Sequence, residues 1–192
     1  PNGGDVTSAS YTIAPRSSFR ITNSSTSDVI RSGSVRVIPG SDPAPSAFVV
    51  FSFRRSGVTV SEASVEAVQP AAALRTWAVL TDSIQSGIAI ANPSSSPVTA
   101  NVEVFNVSGT STGISGTVTI PADGQVATFL SQIPGLERMT APFEGILRIS
   151  TAGSSGIAVA GLRGRSNELG DFLIATVPSA NESTPPSRTD LV

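Results

Sequence analysis

Arg163, Arg165, Glu168 and Asp171 bring two guanidinium groups and two carboxylates into one short stretch of the chain. Paired carboxyls about 5–9.5 Å apart are what glycoside hydrolysis requires, and Glu103 is a further source of one. A guanidinium fork beside them would hold a sugar acid through two parallel hydrogen bonds. No motif marks this spacing, however, and Arg54, Arg55 and Glu62 stand at the matching places of an earlier stretch. Groups that recur in two copies point to architecture rather than to one active centre. They read as cross-strand and turn ion pairs on a solvated face.

The other candidates have equally plain readings. Asp28, Asp42, Asp82 and Asp123 lie in turn-rich contexts, where Asp is common, and no run has calcium-loop spacing. Trp77 and Tyr11 are suited to stacking on sugar rings, but a lone Trp in a β-sandwich is expected in the core. Asn23, Asn106 and Asn181 fit the N-glycosylation pattern, and the hydroxyl-rich loops are equally open to O-linked sugars. With Cys and His both at zero, disulfides, thiolate metal sites and imidazole bases are excluded. All 12 basic residues are Arg, which also removes lysine Schiff-base chemistry and Lys–Asn isopeptide staples. The sequence therefore predicts no catalytic, cofactor-binding or metal site, no cofactor, and no enzyme.

Composition narrows the partners. Charged residues make up only 14% of the chain, about half the usual share. A net charge of −2 without a basic run argues against nucleic acid. No apolar run approaches the roughly 20 residues needed to span a bilayer. The opening Pro1-Asn-Gly is hairpin-turn sequence. It predicts a piece of a longer precursor, which would carry any export signal.

The elements that would position these residues are strands. Short alternating or apolar runs, bounded by Gly, Pro, Asn and Asp, recur at spacings of about 8–12 residues, the pattern of an all-β sandwich. Residues 98–105 alternate cleanly, with Val98, Ala100, Val102 and Val104 inward and Thr99, Asn101 and Glu103 outward. Residues 11–13, 18–22 and 34–37 are shorter strand candidates, and 130–137 has room for one helical turn. Pro121-Ala-Asp-Gly124 reads as a hairpin turn between strands over 116–120 and 125–129. Residues 47–53 are apolar on both faces, which predicts a central strand. Arg54-Arg-Ser-Gly57 closes its hairpin, and the apolar phase then slips between Val60 and Ala63, implying a bulge near Ser61 and Glu62.

Two stretches repeat one another. Gly33-Ser-Val-Arg-Val37, residues 47–54 and a strand ending at Val68 parallel Gly145-Ile-Leu-Arg-Ile149, residues 156–163 and a strand ending at Val177. Arg36 matches Arg148 and Arg54 matches Arg163. The fold class follows: all-β, two related immunoglobulin-like antiparallel β-sandwich units, the first incomplete. The boundaries are 1–70 for the truncated unit, 71–178 for the complete one with about eight strands, and 179–192 for a Pro/Ser/Thr-rich tail. Nothing in 1–70 corresponds to residues 75–105, so strands from another polypeptide, segment 179–192 of a neighbour or a separately cleaved piece of the precursor, are expected to complete the first unit; the alternative is that the first half extends the sheets of the second unit into one larger sandwich.

Ser86-Gly-Ile-Ala-Ile-Ala-Asn-Pro93, Thr119-Ile-Pro-Ala-Asp-Gly-Gln-Val126, Gly161-Leu-Arg-Gly-Arg165, Gly170-Asp-Phe-Leu-Ile174 and Gly57-Val-Thr-Val-Ser-Glu62 carry a resemblance. Together they are similar to the tandem immunoglobulin-like β-sandwich repeats of large secreted bacterial surface proteins. The likeness implies an extracellular or cell-surface, modular protein and transfers no catalytic residue. In that family the first unit would be complete, and here the chain departs from it. The expected function is that of a non-catalytic structural module of a surface protein or filament, self-associating through donated strands. The alternative is a carbohydrate-binding or adhesive module that presents Trp77 or Tyr11 to glycans.

Overall fold

The computed structural model describes residues 8–22, 33–40, 44–153 and 155–184. The chain divides into two units, residues 1–32 and 33–192. In the first, residues 8–22 hold no strand; Ser17 N–H closes a turn onto the Ala14 carbonyl at 3.1 Å. The rings of Tyr11 and Phe19 stack there at 6.4 Å. Segments 11–13 and 18–22 alternate as strands do, but none of their backbone joins a ladder. Ile13, Phe19 and Ile21 are exposed.

The second unit is antiparallel β throughout. A hairpin, β1 (Phe48–Arg55) and β2 (Val58–Glu66), precedes the strands β3 (Ala73–Leu80), β4 (Ile84–Ala91), β5 (Val98–Asn106), β6 (Ser111–Ile120) and β7 (Gln125–Phe129). After a single 3-10 turn at Leu130–Gln132 come β8 (Phe143–Thr151), β9 (Ala158–Ser166), β10 (Phe172–Val177) and β11 (Ser179–Asn181). One sheet has the order β10-β9-β4-β7 and the other β11-β3-β8-β5-β6.

The inward residues of these strands make the core of a β-sandwich. Ala100, Val102 and Val104 of β5 are fully buried, and Thr99 and Asn101 are exposed, as the alternation requires. Leu147 and Ile149 of β8 join Ile88 and Ile90 of β4 in the same cluster. Leu130, Ile133 and Leu136 enter it from the 3-10 turn and the loop beyond, which gives the single helical turn its purpose. Burying each such side chain stabilises the fold by about 1.5–3 kcal/mol. Residues 156–163 are central as expected, because β9 lies between β4 and β10.

Several expectations need correction. Residues 47–54 are not a central strand: β1 pairs only with β2, in a two-stranded sheet where all of Phe48–Arg55 is exposed. Apolarity on two faces records that a strand is built to be covered, not that a cover is present. Its register departs from the repeat as well. Arg54 faces Thr59 across a tight turn with positive φ at Ser56 and Gly57, whereas Arg163 faces Ala175 across the loop 167–171. The bulge expected near Ser61 falls at the neighbouring Val60, which has no partner between Phe53↔Ser61 and Arg54↔Thr59.

Pro121-Ala-Asp-Gly124 is a turn, with φ +48° at Asp123 and Gly124 N–H on the Pro121 carbonyl at 3.2 Å. It does not close a hairpin. β6 and β7 belong to different sheets, so this turn carries the chain across the sandwich. Residues 34–37 form no strand either, and Val35 is 79% exposed. Finally, the presumed tail begins inside the sheet, where Ser179–Asn181 pairs with Thr76, Arg75 and Leu74 of β3.

Candidate functional site

Antiparallel register brings together a cluster of four charged side chains on one sheet face. Arg75 of β3 lies opposite Arg148 of β8, which lies opposite Glu103 of β5, all on the outward face of the five-stranded sheet. Two facing arginines would repel, but carboxylates bracket them. Glu182, just past β11, accepts from Arg75 Nε at 2.5 Å and from Arg148 Nε at 2.9 and 3.0 Å on its two oxygens. Arg148 Nη1 reaches Glu103 Oε2 at 2.6 Å. The hydrogen bond to Glu103, then that to Glu182, raises the Arg148 pKa above its ordinary value. Burial pushes the Glu182 carboxyl up, but the bonds from Arg148 and Arg75 outweigh it and hold the carboxyl below its usual range.

An apolar row adjoins these charges. Trp77, Ile146 and Phe105 face one another in register, and the Arg75 guanidinium lies 5.1 Å from the centre of the Phe105 ring. Trp77 is therefore not a core residue. It occupies an outward position of β3, is 38% exposed and donates its indole N–H to Glu144 at 3.3 Å. The alternation in β3 is too weak to reveal this from sequence, since Thr76 takes an inward place usually held by an apolar side chain. Thr76 is accommodated there because its hydroxyl donates to the Pro178 carbonyl at 3.1 Å.

The cluster at 163–171 separates into unrelated pairs. Arg165 binds Glu168 at 2.7 Å in an exposed contact. Asp171 is buried, and its Oδ1 lies 2.5 Å from Arg55 Nη1 without hydrogen-bond alignment. Its backbone N–H is held by Asn167 Oδ1 at 2.7 Å, which closes the loop. Arg163 Nε is buried without a hydrogen-bond partner among the described residues. Arg54 and Glu62 do not reproduce this arrangement: Glu62 accepts from Ser52 at 2.5 Å on the exposed hairpin. Glu168 and Asp171 thus meet different guanidinium groups, Arg165 and Arg55.

Other singled-out residues are accounted for locally. Asp123 meets Arg36 at 3.2 Å on the surface, and Asp82 is exposed in a bend. Asn106 caps its own turn, accepting from Ser108 and Thr110, and Asn181 lies in β11. Tyr11 keeps its ring against Phe19, and its buried hydroxyl has no hydrogen-bond partner among the described residues. Asn23, Asp28 and Asp42 lie outside the described residues. Asn92, of the Ile-Ala-Asn-Pro stretch, is a structural knot: its buried amide donates to the Ser96 and Pro121 carbonyls at 2.8 and 2.9 Å. Among the described residues no three acidic side chains gather as metal ligands, and no helix is long and apolar enough to cross a membrane.

Among the described residues the β1–β2 hairpin exposes large apolar side chains on both faces of β1. Phe48 is 70% exposed and Val50 50%, and Val49, Phe51 and Phe53 are exposed on the opposite face. Polar contacts tether it beside β10: the Arg55–Asp171 pair, and the Thr176 hydroxyl donating to the Ser64 carbonyl. Both lie on the β2 side or at the turn, and among the described residues no strand pairs with the far edge of β1. Comparison with protein-family models, with curated proteins and with solved structures finds no match for this chain.

Proposed function

We propose that this chain is a non-catalytic structural module of an extracellular surface protein or filament, and that it associates with itself through β-strands. The observation that carries the reading is the hairpin. Five large apolar side chains, Phe48, Val49, Val50, Phe51 and Phe53, stand exposed beside an unpaired strand edge. Large apolar side chains exposed on both faces of a strand mark an interaction surface, and an open edge is a template for another strand. The resemblance to tandem immunoglobulin-like repeats and the hydroxyl-rich loops support the extracellular assignment, and those loops are where glycans would sit.

Sedimentation velocity of the full chain over a range of concentrations tests the reading. Mass that grows with concentration, and reverts to monomer in Phe51→Arg, supports it. A monomer at every concentration overturns it.

Trp77 favours a second reading, a carbohydrate-binding module. An outward indole beside Phe105, Arg75 and Glu144 gives a sugar ring an apolar platform with polar edges. The chain has a single Trp, so titration with oligosaccharides would change its fluorescence directly. Unchanged emission across neutral and acidic glycans would end this alternative.

A further inference from the structure

Resting on the reading of the chain as a self-associating module, we infer that the hairpin's partner is the same hairpin of a second copy, joined edge to edge along β1. The Ala67 N–H donates to the Ala47 carbonyl at 2.8 Å, which fixes 47 and 67 as a hydrogen-bonded pair. Such pairs alternate along an antiparallel ladder. Residues 49, 51 and 53 therefore spend their backbone groups on β2. Phe48, Val50, Ser52 and Arg54 turn theirs toward the open edge.

That edge lacks the usual protections. From Phe48 to Phe53 there is no proline and no charge, and the bulge at Val60 distorts β2, not the open side. Two antiparallel β1 strands related by a two-fold axis must place one residue opposite itself. With Phe51 on the axis, Val50 faces Ser52 of the second copy and Phe48 faces its Arg54. Every free backbone group from 48 to 54 then finds a partner. Val49 and Phe53 of opposite copies become direct neighbours, as do the two Phe51 rings, giving the aromatic and β-branched pairs that stabilise sheets.

Charge selects this register. Within one hairpin Phe48 lies opposite Glu66. Pairing Arg54 with Phe48 of the second copy puts the guanidinium in the same row and on the same face as that copy's Glu66, one strand away. The distance between alternate strands is about 9–10 Å, within reach of an extended Arg and Glu together. The two-fold axis forms this pair twice. A register centred on Val50 would place Arg54 opposite Ser46 instead and lose both pairs. Because the contact is isologous, it closes at a dimer; growth into a filament requires a second, different contact.

The absence of any cysteine makes the register directly readable. Single variants Val49→Cys, Val50→Cys, Phe51→Cys and Ser52→Cys of the full chain are oxidised in air and separated without reductant, with wild-type oligomerisation followed by sedimentation. The inference expects a wild type that stops at a dimer and a covalent dimer formed predominantly by Phe51→Cys. Residue 51 meets its own copy at a close, non-hydrogen-bonded position, whereas 49 meets 53. Phe51→Ser, which keeps a small side chain without a thiol, controls for loss of the ring. Predominant cross-linking at 50 or 52, or equal cross-linking at all four, overturns the register. A polymer in which Phe51→Cys forms no covalent dimer overturns the edge-to-edge contact while leaving self-association standing, and a strict monomer overturns both.

Discussion

Arg148 and Glu182 are 34 positions apart in the chain, yet the Arg148 Nε lies 2.9 and 3.0 Å from the two carboxylate oxygens of Glu182. The contact ties the end of the sandwich to its middle strand and neutralises the repulsion between Arg75 and Arg148. Replacing Glu182 by Gln leaves two arginines facing each other. It should lower unfolding stability by about 1 kcal/mol, with Arg75→Ala in the same background restoring part of the loss. Urea denaturation of the three proteins measures both effects.

The same pair sets a pH dependence. The folded-state pKa of Glu182 lies below its unfolded value. Its stabilising contribution is therefore fully present above the unfolded carboxyl value of about 4.3, and is lost as pH falls through the lower, folded value. Wild-type stability should fall more steeply than that of Glu182→Gln below about pH 4.3, and the two curves should converge at the acid end. Parallel curves would show that the pair contributes nothing.

Trp77 and Leu147 should separate cleanly. Leu147 is fully buried in the core, and its replacement by Ala should cost about 2–5 kcal/mol. Trp77→Ala, on the outward face, should cost less than about 3 kcal/mol, the low end for a buried aromatic. Iodide should quench the native Trp emission readily. A blue-shifted, unquenchable Trp would return the residue to the core.

Gly116 permits the loop after β7 to lie on β6. A Cβ there would run into the Pro134 carbonyl oxygen and come within 2.9 Å of an Ile133 methyl, and the loop's backbone is held by its own turns. Gly116→Ala should destabilise the sandwich by about 1–3 kcal/mol, readable by thermal unfolding. Gly109, whose Cβ would meet nothing within 4 Å but whose φ is +82°, should lose stability through backbone strain alone and leave Ile133 packed.

What the sequence made legible was local. The alternation of Val98 to Val104 is written in adjacent residues, and so is the turn at Asp123-Gly124; both are present. Destinations were not legible. Whether the strand after Gly124 pairs with the one before it depends on which sheet has a vacant place beside β4, and no local pattern records that. Residues 47–53 illustrate the limit from the other side, since a run apolar on both faces says how much surface needs covering and nothing about its supply. Glu182 is hard to recognise in sequence because its Pro- and Ser-rich context resembles a tail. The signal is present in the sequence as Asn181-Glu182 directly after a strand-compatible Ser179-Ala180.

Strand β3 sits between β8 and β11, so both of its neighbours come from the far end of the chain. During synthesis the stretch Ala73–Leu80 is made early but has no partner on either side until residues 143–181 follow. Its backbone groups must stay hydrated, and its Leu74 unburied, for most of the time the ribosome spends on the sandwich. Closing such long loops makes folding slow relative to helical proteins of equal size. A nascent chain halted before β8 would keep this strand open to proteases and chaperones, so completion of the last strands is the event that protects the first.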